Sequence, residues 1–308
     1  MYAIEVDNLV KIYGDKKVVN GVNLKIKKGI IFGFVGVNGA GKSTFINMLT
    51  GIINPSSGSF RVLGVDYLKL DNIKKKIGVL PDYSSLYNNL TALQHLDYFC
   101  KILSVKKTKN DLIDILNEVG LGNDVNKKVK NFSFGMKKKL GIAQSLVNDP
   151  ELIFLDEPTS GVDASSVLNI HSVIKNLSNS GVTVFLTSHN LDEVEKICDE
   201  IAIMKNGTIS CNGTMDNLRK RYQNSILVKI KHSLVLDDTK ELINDIFKNV
   251  GRDIKWDKGN LLYITIDNEE SISHLTKTLD QFDVNVYRIE VNEPSLEEIF
   301  LASEKEFV

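Results

Sequence analysis

One loop constrains this chain more than any other feature: Gly36-Val37-Asn38-Gly39-Ala40-Gly41-Lys42-Ser43-Thr44. It follows the pattern G-x-x-x-x-G-K-[ST], in which backbone N–H groups cradle phosphates. Ile31-Phe32-Gly33-Phe34-Val35 precedes it and has the length of a buried strand. Phe45-Ile46-Asn47-Met48-Leu49 follows and starts a helix. A strand, a glycine loop and a helix N-terminus together restrict the fold to an α/β architecture. Glycines at 36, 39 and 41 let the backbone approach a polyphosphate and adopt positive φ. The helix N-terminus adds unpaired donors and a favourable dipole. Lys42 is suited to bridge the outer phosphates and Ser43 to ligate Mg²⁺. Taken alone, the pattern also fits a glycine-rich turn that binds nothing.

The 308 residues exceed a typical single domain and suit two. Hydrophobic residues at 43% and charged residues at 25% are ordinary for a globular protein. A net charge of −1 lacks the basic excess of a nucleic-acid binder, so no nucleic-acid partner is expected. No apolar run approaches the ~18 residues that span a bilayer, and the first residues alternate like a strand rather than a signal peptide. Cys100, Cys198 and Cys211 are scattered and odd in number, which suggests reduced thiols and a cytoplasmic location.

Residues 2–7 and 22–26 alternate as strands, with Lys11-Ile12-Tyr13-Gly14 between them. Tyr13 offers either a face for a purine base or an aromatic cover for the core. Strands are expected at 59–64 and 77–80, the latter followed by Pro81 and Asp82. Apolar residues then recur at helical spacing across a helical insertion at about 87–148, whose lysine runs read as solvated faces. Within it, Ser133 is placed to cap a helix carrying Leu140, Ala143, Leu146 and Val147 on one face. Strand 152–155 ends in Asp156-Glu157-Pro158. Ser160-Gly161-Val162-Asp163, a helix at 164–179 and a strand at 182–186 follow, the last leading to His189. Asn206-Gly207 joins strands 201–205 and 208–212 in a two-residue hairpin.

A boundary falls at 219–225, giving domains 1–221 and 222–308. The second domain reads β-α-β-β-α-β plus a last helix after Pro294, the order of a small ferredoxin-like α+β fold. It carries no catalytic cluster.

A strand-terminal Asp near a phosphate loop is the usual holder of Mg²⁺, which points to Asp156. Glu157 is placed to take a proton from an attacking water; a cap for the following turn is the alternative. His189 also sits at a strand exit, where it suits a γ-phosphate and the water, although a lone histidine is more often structural. His95, His171, His232 and His274 carry no assigned role.

With these residues in place, residues 1 to about 220 resemble the ATP-binding-cassette ATPases. The matching pieces run in order: Tyr13, the loop 36–44, the loop after strand 77–80, a serine-glycine signature at 132–136, the acidic strand 152–157, the loop 160–163 and His189. The signature is the most specific of them. The resemblance implies an N-terminal antiparallel β subdomain beside the phosphate-loop core, with ATP and Mg²⁺ bound by Tyr13, the loop from Gly36 to Thr44, Ser43 and Asp156. It also implies a head-to-tail pair of cassettes, identical or different, with Ser133 and Gly135 facing the second subunit's nucleotide, and Asp163 among the nucleotide-binding residues. Glu157, His189 and Asp82 are the expected catalytic residues, Asp82 also approaching the metal.

Two positions depart from the family pattern. Phe134 stands where the signature commonly has glycine, and Asp82 where the preceding loop commonly has glutamine. The C-terminal stretch ending Glu293-Pro294-Ser295-Leu296-Glu297-Glu298-Ile299-Phe300 resembles exporters of the drug, sodium and antimicrobial-peptide-resistance type. In those the membrane-spanning permease is a separate chain, which would hold this one at the inner face of the membrane. Its cytoplasmic helix would dock near residues 82–100. The competing classes are a ribosome- or DNA-associated cassette and a regulatory cassette with little turnover.

Overall fold

The computed structural model describes residues 1–81, 86–222 and 226–305, with side chains to 303. The chain divides into two compact units, Met1–Met215 and Asp216–Val308.

The first unit opens with a long hairpin, β1 (Tyr2–Tyr13) and β2 (Lys16–Lys27). Both strands run further than the alternation at 2–7 and 22–26 suggested, and turn at Gly14-Asp15. The pairing register shifts between Val6 and Leu9 and again between Leu9 and Lys11. Such bulges break the period-two pattern on which a sequence reading depends. β3 (Ile31–Val35) leads through the glycine loop into α1 (Lys42–Leu49). β4 (Ser57–Val62) and the short β5 (Val65–Asp66) complete an antiparallel sheet of order β2-β1-β4-β5.

β6 (Ile77–Leu80) precedes the helical insertion, built from α2 (Ala92–Leu103), α3 (Lys109–Glu118) and α4 (Phe134–Leu146). Thr91 and Thr108 start α2 and α3 with capping boxes, closed by Gln94 and Asp111. β7 (Leu152–Asp156), α5 (Ala164–Asn179) and β8 (Thr183–Ser188) follow. Then come α6 (Leu191–Ile197), which the sequence reading passed over, and the hairpin β9 (Glu200–Lys205) and β10 (Thr208–Gly213).

The main sheet has order β10-β9-β3-β8-β7-β6. Every pair from β9 to β6 is parallel. β3, β6, β7 and β8 therefore all end at one edge, where open α/β sheets bind ligands. Phe34 stacks on Phe45 with centroids 5.0 Å apart, and Phe185 lies 5.3 to 6.4 Å from Phe32, Phe34, Phe45 and Phe154. These rings lock α1 onto the sheet and so hold the glycine loop in place.

The second unit takes in α7 (Met215–Tyr222) from Asp216 on. It continues with β11 (Ile226–His232), α8 (Asp237–Phe247), β12 (Gly251–Asp257), β13 (Leu261–Ile266), α9 (Glu270–Gln281), β14 (Val286–Asn292) and α10 (Leu296–Lys305). The sheet order β12-β13-β11-β14 is antiparallel throughout. That is the split β-α-β arrangement expected of a ferredoxin-like fold. Its core gathers Val228, Ile230, Phe247, Ile264, Leu275 and Leu279.

Candidate nucleotide site

The glycines of the phosphate loop have two different physical reasons. A Cβ on Gly36 would lie 2.3 Å from the Met204 carbonyl oxygen, and one on Gly41 would lie 2.5 Å from that of Val18. Both glycines let the loop press against the protein's own β9 and β2. Gly39 has open space around it but φ +81°, so its requirement is conformational. Ala40 is buried and its carbonyl accepts from the Gly207 amide at 3.0 Å, which ties the loop to the β9–β10 turn. Val37, Asn38 and Gly39 form the exposed crest.

Lys42 is half-buried at the first position of α1, and its Nζ donates to the carbonyls of Gly36 at 2.6 Å and Val37 at 3.3 Å. Burial lowers its pKa, opposed by the fields of Glu157 and Asp156. The two acids thus act on the loop lysine across the edge of the sheet. Ser43 is exposed on the first turn beside it, and Thr44 is half-buried.

Asp156 ends β7 and Glu157 follows it, and a residue from the neighbouring strand organises both. Thr187 is buried and pairs in register with Asp156. Its hydroxyl donates to Asp156 Oδ1 and accepts from the Glu157 amide at 3.1 Å. Glu157 has φ +49°, the left-handed region that non-glycine residues seldom occupy. The turn points its carboxylate at His189, whose Nδ1 lies 2.8 Å from Oε2. A carboxylate only accepts, so this bond makes Nδ1 the protonated nitrogen. The imidazole is mostly exposed and the carboxylate mostly covered.

The remaining expected residues are placed on other elements. Ser133 caps α4, its hydroxyl accepting from the Met136 amide at 3.2 Å. Gly135 is buried, and a Cβ there would lie 2.8 Å from Ser166 Oγ on α5. Glycine is therefore required by packing within this chain. Phe134 is 55% exposed and its ring lies over Gly161. Asp163 caps α5, and hydrogen bonds from Ser165 and then Ser166 hold its carboxyl at about 2. Tyr13, at the end of β1, is 49% exposed with the Lys11 ammonium 5.1 Å from its ring centroid. Asp82 lies outside the described residues.

Sequence reasoning did not assign Thr187 or Lys138, although both hold Glu157: the Lys138 ammonium donates to the Glu157 carbonyl at 2.8 Å. Thr187 had a signal, since it directly follows the expected strand 182–186, at a strand exit like those of the acids and His189. Lys138 had none, because it lies inside a run of three lysines.

A family model described as ABC transporter matches residues 19–160. A second, described as ATP-binding protein DrrA1-3-like, C-terminal domain, matches residues 213–303. The linearmycin resistance ATP-binding protein LnrL of Bacillus subtilis is 33% identical, over 97% of each chain. The chain belongs to the ABC transporter family. The bacitracin transport ATP-binding protein BcrA of Bacillus licheniformis is also 33% identical, over 97% of this chain and 96% of its own. The lantibiotic transport ATP-binding protein SrtF of Streptococcus pyogenes is 38% identical, over 73% of this chain and 97% of its own.

Among solved structures, the ATP binding subunit of an ABC transporter superposes with TM-score 0.65 at 26% identity, over 71% of this chain and 93% of its own. A dimeric bacterial ABC transporter cassette, MJ0796, gives 0.62 at 25%, over 69% of this chain and 98% of its own. The cassette is accordingly an ATP-binding ATPase of the transporter type, and the ribosome-, DNA- and regulatory readings give way to it. Among the described residues, no helix is long and apolar enough to cross a membrane.

Proposed function

We propose that this chain is the ATP-hydrolysing subunit of an exporter, and that two cassettes close head-to-tail around ATP to drive a separate membrane-spanning permease. The observation that carries this reading is the convergence of Lys42, Asp156, Glu157 and His189 at one sheet edge, with the Glu157–His189 bond at 2.8 Å. In this reading Lys42 and the loop from Gly36 to Thr44 hold the phosphates, and Tyr13 stacks on the adenine. Glu157 takes the proton of the attacking water. His189 donates through Nδ1 to Glu157, which fixes the carboxylate's orientation and leaves Nε2 to face the γ-phosphate.

Mg²⁺ fits the residues present. Ser43 and Asp156 offer one hydroxyl and one carboxylate, while no group of three or more His, Cys, Asp or Glu among the described residues is arranged to hold a metal. Mg²⁺ with a nucleotide takes one or two protein oxygens and fills the remainder from phosphates and water. Bound there, it would offset the charge of the β- and γ-phosphates.

Ser133, Gly135 and Asp163 would face the nucleotide held by the second cassette, identical or different. Asp163 accepts through Oδ1 from the Ser165 hydroxyl and from the Ser166 amide in the first turn of α5, so its part there is to hold that loop. The permease would dock beside α2, where Tyr87, ahead of the helix, and Tyr98, Ile102 and Leu103, on it, are exposed and the two tyrosine hydroxyls lie 3.4 Å apart. An apolar, aromatic patch of this kind suits a partner helix. Docking would hold the chain at the inner face of the membrane. The relatives' names support an antimicrobial compound as cargo. The division into two compact units at 215/216 supports a cassette followed by an accessory domain, a few residues ahead of the boundary expected at 221/222.

Size-exclusion chromatography of Glu157→Gln with MgATP tests the core of this reading. A nucleotide-dependent dimer is expected; a persistent monomer overturns it.

A further inference from the structure

Glu157 is held in an unfavourable backbone conformation from several sides. Its φ of +49° belongs to the region that persists in a non-glycine residue only where the surroundings over-determine it. The amide is taken by Thr187 Oγ1 at 3.1 Å and the carboxylate by His189 at 2.8 Å. The carbonyl is taken by Lys138 Nζ at 2.8 Å. Thr187 and His189 come from β8 and its exit, in the same sheet as β7. Lys138 comes from α4, in the helical insertion.

Lys138 is 4% exposed. Burying an ammonium is costly unless its donors are met, and here the Glu157 carbonyl is among its acceptors. Its Nζ also lies 5.8 Å from the centroid of the Phe134 ring, itself set over Gly161. Phe134 is the signature residue that departs from the family pattern. Lys138 lies little more than one helical turn beyond Ser133, the cap that opens the signature helix.

We propose that Lys138 is a positioning residue for hydrolysis: it holds the Glu157 turn and makes the base's orientation depend on where the signature helix stands. This rests on the reading of Glu157 as the base. A shift at the α4 N-terminus, where a second cassette's nucleotide would engage Ser133, then bears on the base of the same chain through a single side chain. The two sites of a cassette pair would be coupled by that route.

The test is steady-state ATP turnover by the full chain with Mg²⁺, using Lys138→Met, which keeps length but removes the donor, and Lys138→Arg, which restores one. Lys138→Met is expected to lower kcat about 10- to 100-fold, as small displacements of a reacting group do. The KM for ATP should move less than about threefold, since the interaction acts on the chemical step rather than on binding. Lys138→Arg should recover most of the loss. Thermal unfolding is followed in parallel.

A folded Lys138→Met with full kcat overturns the proposal. So does a loss in which kcat, KM and the unfolding midpoint all worsen and arginine does not rescue. If Lys138→Met does not fold, Lys138→Gln, whose arm is one atom too short to bring a donor to the Glu157 carbonyl, is read for the same split, and unchanged kcat there overturns it equally. Glu157→Gln runs beside them: if that variant keeps full turnover, the reading of Glu157 fails whatever Lys138 does. If it loses turnover and Lys138→Met does not, only the positioning role fails.

Discussion

The two units are both built from strands and helices, yet only one gathers reactive groups. In the first, β3, β6, β7 and β8 run parallel and release their loops at one edge. Residues distant in sequence, Lys42, Asp156, Glu157 and His189, meet there. In the second unit every pairing is antiparallel, so strand ends are shared between both edges. Its charged side chains pair on the surface instead, as with Lys229–Glu290 at 2.9 Å and Arg252–Asp267 at 2.7 Å. Such exposed pairs contribute little to stability. Its one buried histidine, His232, turns Nδ1 to the Ser233 carbonyl at 2.7 Å and packs its ring on Trp256. The comparison teaches that strand direction, more than the number of polar residues, decided where chemistry could assemble.

The largest effect that would sharpen this contrast is on turnover. Glu157→Gln should lower kcat by about 100- to 10,000-fold, the range of a lost general base, with ATP affinity nearly intact by calorimetry. Near-normal turnover would remove the sheet edge as the reactive centre. Next, Lys42→Ala should weaken ATP binding by about 10- to 100-fold, because charge-assisted hydrogen bonds contribute about 1.5–3 kcal/mol each. Unchanged affinity would break the phosphate-loop assignment.

A core substitution tests the other side of the comparison. Phe247 is fully buried in the second unit. Phe247→Ala should destabilise that unit by about 3–5 kcal/mol, seen as an earlier transition in scanning calorimetry, while ATP affinity stays as it was. A fall in affinity would show that the second unit does contribute to the site.

The smallest effect is one of pH. His95 is buried in α2 with Nε2 2.9 Å from Gln144 Oε1, and burial lowers its pKa. Burial lowers that of His171 as well. A histidine with a depressed folded pKa leaves the unfolded chain binding more protons, so stability rises with pH across that window. The stabilisation is complete above about pH 6.5, the unperturbed histidine value, and declines as pH falls through it towards the folded pKa. His95→Gln keeps a donor for Gln144 and cannot titrate. It should therefore lose less of its unfolding temperature between pH 7 and pH 5 than the unmodified chain. An identical loss would assign the pH response elsewhere.

Much of the candidate site is legible in the sequence. The glycine loop, the strand-terminal acids and the Asn206-Gly207 hairpin are local signals, written in adjacent residues whose backbone requirements are distinctive. Asn206 and Gly207 indeed both take positive φ, at 47° and 82°. The C-terminal β-α-β-β-α-β order was legible for the same reason, each element carrying its own periodicity. The β1–β2 hairpin was read too short because its bulges interrupt alternation. α6 was passed over because it is short, only Leu191–Ile197.

The sequence by itself determined which local structures form and which chemistry they can carry: a loop able to cradle phosphates, an acidic strand end, a capped signature helix. Tertiary structure alone decided that Gly36 and Gly41 are demanded by the carbonyls of Met204 and Val18, that Thr187 bridges Asp156 and Glu157, and that Lys138 reaches the Glu157 carbonyl. Each of these is a contact between residues far apart in the chain. A backbone pattern is set by neighbours in sequence, whereas a steric limit or a buried hydrogen bond is set by whatever packing brings within a few ångströms.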